Sequence, residues 1–239
     1  MRPSDTEVGT GIEGGAAFDA GPFPVDAWAL LSPALTDQRR ERLMTAAKNR
    51  TRRLRLVVQD IHHPHNVSAC LRSAEAFGVA DVDIVNHRQS FRPSTVAKGV
   101  GEWLNIHKHD SIESCAAYLR EAGYQIAAGF PAQGATPLYA LPVDRPLAVV
   151  FGNEHAGIAG EWLPYIDLRF TIPMVGLVES LNISVSAAIT LQSLTHKART
   201  SLGDSSYLIS AAEQSELLNR WICRQVPTWR SQLELLRNR

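Results

Sequence analysis

From Leu54 onward, short apolar runs alternate with amphipathic stretches about twelve residues long. LRLVVQD (54–60) reads as a buried strand. NVSACLRSAEAF (66–77) repeats its apolar positions at helical spacing and stops at Gly78. VDIV is the next strand, and WLNIHK a short one. SIESCAAYLREA is a helix opened by Asp110 or Ser111 and ended by Gly123. YQIAAGF, LAVVFG and LRFTIP follow as strands, and a long helix runs from about Asn182 to Arg199. Strands of this length alternating with helices predict an α/β fold, with a parallel sheet covered by helices on both faces. Before this region a helix is predicted near Thr36. After it come SAAEQSELLNRWICRQV, opened by Ser210, and a last helix beyond Pro227.

These patterns divide the chain into four parts. Residues 1–24, rich in Gly, Ala and Asp and without periodicity, are expected to be a mobile tail. Residues 25–53 form a basic helical extension, 54–200 the α/β domain, and 201–239 a C-terminal helical extension. The 239 residues carry no net formal charge, which speaks neither for nor against nucleic acid. The distribution is less even: Arg39, Arg40, Arg42, Lys48, Arg50, Arg52, Arg53 and Arg55 face only Asp37 and Glu41. Such a block is either a solvated helix face or a phosphate footprint. Three widely spaced cysteines with no CxxC predict neither a zinc site nor disulfides, hence a reducing compartment. With no signal peptide and no membrane-length apolar run, a cytoplasmic protein without membrane contact is expected.

Ligands of α/β sheets bind outside the carboxyl ends of the strands, and three post-strand loops have unusual composition. In the first, IHHPHNVSACLR, Asn66 or Ser68 is placed to cap a helix, with Arg72 further along it. In the second, FGNEHAGI (151–158), Gly152 and Gly157 allow tight turns and Glu154 sets a carboxylate at a strand end. The third, IPMVGLVESLNISVSAAITL (172–191), gathers Ser180, Asn182 and Ser184 before a helix of small residues. Each alone is compatible with an ordinary capped connection. The absence of GxxxxGK[ST] excludes a triphosphate-cradling loop, and no GxGxxG follows the first strand, which disfavours a nicotinamide enzyme.

Together HPHNVSACLRSAEAFGV, FGNEHAG and IPMVGLVESLNISVSAA resemble the three motifs of the SPOUT methyltransferases. Within these they are similar to the TrmH-like RNA ribose 2'-O-methyltransferases (the SpoU family), over about residues 54–200. The resemblance implies a C-terminal trefoil knot, which periodicity does not predict. It also implies S-adenosyl-L-methionine as cofactor, with S-adenosyl-L-homocysteine as product, and no metal. Carried over by motif, Ala128, Gly129, Gly152, Asn153, Ile172, Met174 and Leu181 would hold the cofactor, and Arg72, Asn66, Glu154, Ser180 and Asn182 would serve catalysis. Glu154 would either orient Arg72 or line the cofactor pocket. Because a guanidinium stays protonated below about pH 12, Arg72 would either pass a proton transiently to phosphate or stabilise an alkoxide as a cation.

With an RNA substrate implied, Arg50, Arg52, Arg53 and His65 become phosphate contacts. Trp221 and Trp229 are read as packing residues. Short helical extensions at both ends resemble the enzymes that methylate the tRNA D-loop guanosine at position 18. A ribosomal RNA 2'-O-methyltransferase and a non-catalytic RNA-binding relative are the alternatives. The resemblance further implies a homodimer formed through the knot region.

Overall fold

Each apolar run becomes a strand of one sheet in the computed structural model, which describes residues 23–86, 99–130 and 134–238. Most of the expected tail lies outside the described residues. The strands are β1 (Thr51–Gln59), β2 (Val79–Val85), β3 (Asn105–His109), β4 (Gln125–Gly129), β5 (Thr136–Pro137), β6 (Leu147–Phe151) and β7 (Leu168–Thr171). Among the described residues these strands pair in parallel, in the order β3-β2-β1-β6-β4-β7-β5. Successive side chains of β1 point to opposite faces. Leu54, Leu56 and Val58 enter one core with helices α3 (Pro64–Ala76) and α5 (Ile183–Leu202). Val57 enters the other with α4 (Ile112–Glu121) and the short turn at Trp162. Helices thus cover both faces, as the alternation predicts.

Arg55 lies on the α4 side and, unlike Arg52 and Arg53 of the same strand, is buried. Its Nε is 3.0 Å from an oxygen of Asp83, which is completely buried and also bonds His109 Nε2 at 2.8 Å. Burial alone would push Asp81 up. The hydrogen bond from His107 and the nearby Arg55 and Arg52 outweigh it and hold that carboxyl at about 2.

Four helices outside the sheet pack into one layer: α1 (Ala27–Leu31), α2 (Asp37–Lys48), α7 (Ala211–Gln225) and α8 (Trp229–Arg237). The short α6 (Asp204–Tyr207) leads into it. Ile222 and Leu233 pack on Leu31 in one small core, and Trp221 packs on Leu43 and Ala47 in a second. The expected packing role of both tryptophans is met: Trp221 is fully buried, and Trp229 lies against Phe23. Asn219 receives the Trp28 N–H at 2.8 Å and donates to the Val25 carbonyl at 3.0 Å, tying the layer's start to its end. Thr36 caps α2 as predicted, and Ser210 and Glu213 form a capping box on α7.

Candidate active site

Strand order reverses between β1 and β6. The chain leaves β1 towards β2 and leaves β6 towards the other half of the sheet, which opens a crevice between their carboxyl ends. The first and second candidate loops meet there. Glu154 reaches across, and its oxygens accept from the His62 N–H at 2.8 Å, the His63 N–H at 3.3 Å and Asn66 Nδ2 at 2.8 Å. The sequence reading of Asn66 or Ser68 as the cap of α3 is therefore corrected. The helix starts earlier, with Pro64 in its first turn and His63 at the cap position without a capping side chain. The carboxylate of Glu154 takes the place of such a cap, at the positive end of the helix dipole. Partial burial pushes the Glu154 carboxyl up, but the hydrogen bonds from Asn66 and from the His62 and His63 backbones outweigh it. The net value lies below the ordinary 4.5.

Asn66 passes this constraint on. Its amide nitrogen is turned to Glu154, so its oxygen faces Asn182 Nδ2 at 3.3 Å. Asn182, at the expected start of the long helix, caps α5, its own oxygen accepting from the Ser184 N–H at 2.9 Å and Oγ at 2.7 Å. Three residues from three separate segments thus form one directed chain, Glu154 to Asn66 to Asn182. Arg72 stands outside it. The side chain is exposed on α3, and among the described residues no hydrogen bond or ion pair engages it. Glu154 bonds Asn66 rather than orienting Arg72.

Beside this chain a cleft of about 120 Å³ opens at the carboxyl ends of β4, β6 and β7. Of the residues expected around a cofactor, Gly129, Ile172, Met174 and Leu181 line it, and Ser180 shares the wall. Ala128 does not: it is fully buried one position back in β4. Gly152 and Asn153 also stand off the lining, for a clear reason. A Cβ on Gly152 would lie 2.1 Å from the Gly157 carbonyl oxygen, so this position must be glycine for the loop to close. Asn153 exchanges both backbone hydrogen bonds with Gly157, while its side chain donates to the Asp60 carbonyl and accepts from the His155 and Ala156 N–H groups. Its polar groups are thus engaged in shaping the loop.

The sequence reading missed Phe130, Phe151, Phe170, Thr171 and Ser186 on the cleft wall. Aromatics at strand ends look like ordinary core, and only the sheet order shows which of them border an opening. Apolar walls and a glycine, with no charged side chain among them, suit the flat adenine of a nucleoside and leave nothing to repel a cation. Gly129 fits that use as well, since a Cβ there would press to 3.2 Å from the Phe170 ring and narrow the slot.

The arginines assigned to phosphate need correction. Arg50 is 2 % exposed, pairs with Glu75 at 2.9 Å, donates to the Val79 carbonyl and packs over Trp221. Arg52 bridges Asp81 and Glu213, and Arg53 donates to the carbonyls of Val143 and Asp144. They also sit at the wrong end of β1: eight residues of strand put Thr51 about 26 Å from Gln59, at about 3.3 Å per residue. Arg50 and Arg52 fasten α3 and α7 to the sheet, and Arg53 holds the segment before β6. His65, by contrast, is exposed in the first turn of α3, at the same end as the cleft.

Comparison with known proteins agrees with this arrangement. Residues 53–192 match the SpoU rRNA Methylase family. A tRNA (guanosine(18)-2'-O)-methyltransferase of Borreliella burgdorferi is 33 % identical over 190 residues, covering 79 % of this chain and 86 % of the relative. The A. aeolicus TrmH/SpoU tRNA modifying enzyme superposes with a TM-score of 0.69 at 25 % identity, over 80 % of this chain and 98 % of that one. The AviRb SpoU methyltransferase of Streptomyces viridochromogenes, solved with AdoMet, shares the fold at 23 % identity and a TM-score of 0.54, covering 62 % and 58 % of the two chains. A parallel sheet with its cleft at the carboxyl ends of β4, β6 and β7, beside the switch point, and a family match over most of the α/β domain have one reading: the chain belongs to the SpoU methylase family.

Proposed function

We propose that this protein transfers a methyl group from S-adenosyl-L-methionine to a ribose 2'-hydroxyl of tRNA, at the D-loop guanosine 18. The observation that carries the reading is the Glu154–Asn66–Asn182 chain at the mouth of an uncharged cleft. The relative from Borreliella burgdorferi supports the guanosine, since the likeness extends over most of both chains. The cofactor supplies the methyl on a positive sulfonium, so no metal is needed to activate it. Gly129, Ile172, Met174 and Leu181 form its slot, and Gly152 keeps the neighbouring loop closed.

The attacking hydroxyl is a weak nucleophile until its proton leaves. Asn66 and Asn182 each direct one amide N–H into the chain, leaving the other to orient the ribose, with Ser180 on the neighbouring cleft wall. Arg72, free of protein partners among the described residues, faces the developing alkoxide as a cation while solvent or an RNA phosphate takes the proton. The exposed Val175, Leu177, Val178, Val185 and Ile189 form an apolar surface around the third loop and α5. That surface supports a homodimer through the region where the family's trefoil knot would lie. The proposed domain limits are extensions at 25–53 and 201–239 around a catalytic domain at 54–200. Among the described residues no helix is long and apolar enough to cross a membrane, in keeping with a cytoplasmic enzyme.

The test is methyl incorporation from labelled S-adenosyl-L-methionine into unmodified tRNA and ribosomal RNA, with Arg72→Ala alongside. Ribose-linked label at guanosine 18 that vanishes in the variant is the expected outcome. Label in ribosomal RNA alone would overturn the substrate. RNA binding without cofactor binding would indicate a non-catalytic relative.

A further inference from the structure

The two ends of the sheet carry different kinds of cation. At the amino ends sit arginines engaged with carboxylates and carbonyls. At the carboxyl ends, beside Arg72, sit imidazoles: His62, His63 and His65 from the loop into α3, and His155 from the loop after β6. All four are exposed. The His62 and His63 rings stand edge to face at 5.0 Å, and His155 lies 6.3 Å from His62. Their backbones are pinned: the His62 and His63 N–H groups donate to Glu154, and the His155 N–H donates to Asn153 Oδ1 at 2.9 Å. The rings therefore line both sides of the crevice, and the Glu154 carboxylate that holds the His62 and His63 backbones also holds Asn66.

Among the described residues the charged groups around this rim are few. The Glu154 carboxylate lies beneath it and already accepts three hydrogen bonds. Asp60, buried at the end of β1, accepts from Gln59 Nε2 at 2.9 Å. Arg72 stands further along α3. Imidazole in water is half protonated near about pH 6.5. Protonated rings at ring-contact distance repel one another, and a phosphate seated between them removes that repulsion. Anion binding and proton uptake are therefore coupled at this spot.

We propose that His62, His63 and His155 form a proton-dependent phosphate site that grips the RNA backbone beside the ribose presented to Asn66 and Asn182. The inference rests on the RNA methyltransferase reading and adds how substrate is held and how pH controls it. It predicts RNA affinity that strengthens as pH falls through the imidazole range. More cationic contacts then form, so the salt dependence steepens as well.

The test is equilibrium binding of an unmodified tRNA transcript across a KCl series at pH 5.8 and pH 8.0. Wild type is compared with a His63→Gln/His155→Gln double variant. For wild type, affinity should rise about tenfold on acidification, and the slope of log K against log salt should steepen by about 0.7 to 0.9, the value for one phosphate neutralised. In the double variant both changes should shrink to a small residue. S-adenosyl-L-methionine affinity of the variant, measured by calorimetry, should match wild type and so shows the fold intact. A wild-type affinity and slope that ignore pH, or a variant that keeps the full pH response, overturns the site while leaving the enzyme reading standing. A wild type that binds cofactor but no tRNA at either pH overturns both.

Discussion

Glu154→Gln isolates the carboxylate that ties the first two loops together. The side chain accepts three hydrogen bonds, from His62 N–H, His63 N–H and Asn66 Nδ2. Glutamine keeps the shape but offers one oxygen and one NH2, so the new amide must oppose a donor on one side. Contacts to a charged acceptor contribute about 1.5–3 kcal/mol each and neutral ones about 0.5–1.5. Glu154 is only half-buried, so water replaces part of what is lost. A net destabilisation of about 2 kcal/mol results, or about 4–8 °C in Tm for a chain of this size. The pH profile adds an independent readout. The carboxyl is lowered in the folded protein, so its contribution is fully present above the ordinary value of 4.5 and disappears as pH falls through the folded value. The gap between wild type and variant should therefore be constant from neutrality down to about pH 5 and close below it. Asn66, released from its orientation, should cost the methyl transfer about tenfold to a hundredfold in kcat, with cofactor KM within about twofold. Equal Tm and equal kcat, or a gap that persists unchanged into acid, would refute the directed chain.

Gly152→Ala drives a Cβ into the Gly157 carbonyl and should open that loop, weakening S-adenosyl-L-methionine binding at least about tenfold by calorimetry. Arg50→Ala removes a buried side chain from the partly solvated Glu75 and the Val79 carbonyl and should lower stability by about 1–3 kcal/mol in urea titrations. The salt slope of RNA binding should not change in that variant; a shallower slope would restore Arg50 as a phosphate contact. Burial pushes the Cys70 thiol up to about 12 and Cys223 to about 11, with Cys115 also raised. Iodoacetamide at pH 8 should label none of them until urea unfolds the chain, as read by mass spectrometry.

Whatever depends on neighbours along the chain is legible in the sequence. The strands announce themselves as apolar runs, Asn182 and Ser210 as caps, and Gly78 as a stop, its φ of +76° confirming the left-handed turn. Pro64 is a local signal that outranks Asn66 as the marker of the helix start: a residue without an N–H suits the first turn, and α3 begins there. The two residues of β5 and the five of α1 are too short for any period to show. Contacts between distant positions leave no local trace. Arg50 meets Glu75 across 25 residues and Glu154 meets Asn66 across 88. Within a basic run Arg50 resembles any solvated charge, and within a glycine turn Glu154 resembles a spare acid. The three motifs name the site residues because they resemble a family, while the direction of the hydrogen bonds joining them needs coordinates.

The helical layer has a consequence for how the protein is made. Asp26 on the entry to α1 is held by Arg237 at the end of α8, 211 residues later, and Asn219 closes the same layer from α7. At a translation speed of about 5–20 residues per second, α1 and α2 leave the ribosome roughly 10–40 s before their partners exist. During that interval the apolar face of Leu31, Leu43 and Ala47 lacks Trp221, Ile222 and Leu233, which cover it in the finished fold. The α/β sheet is complete well before α7 and α8 emerge, so the nascent chain passes through a stage in which the methyl-transfer cleft is built while its first helices still hang undocked.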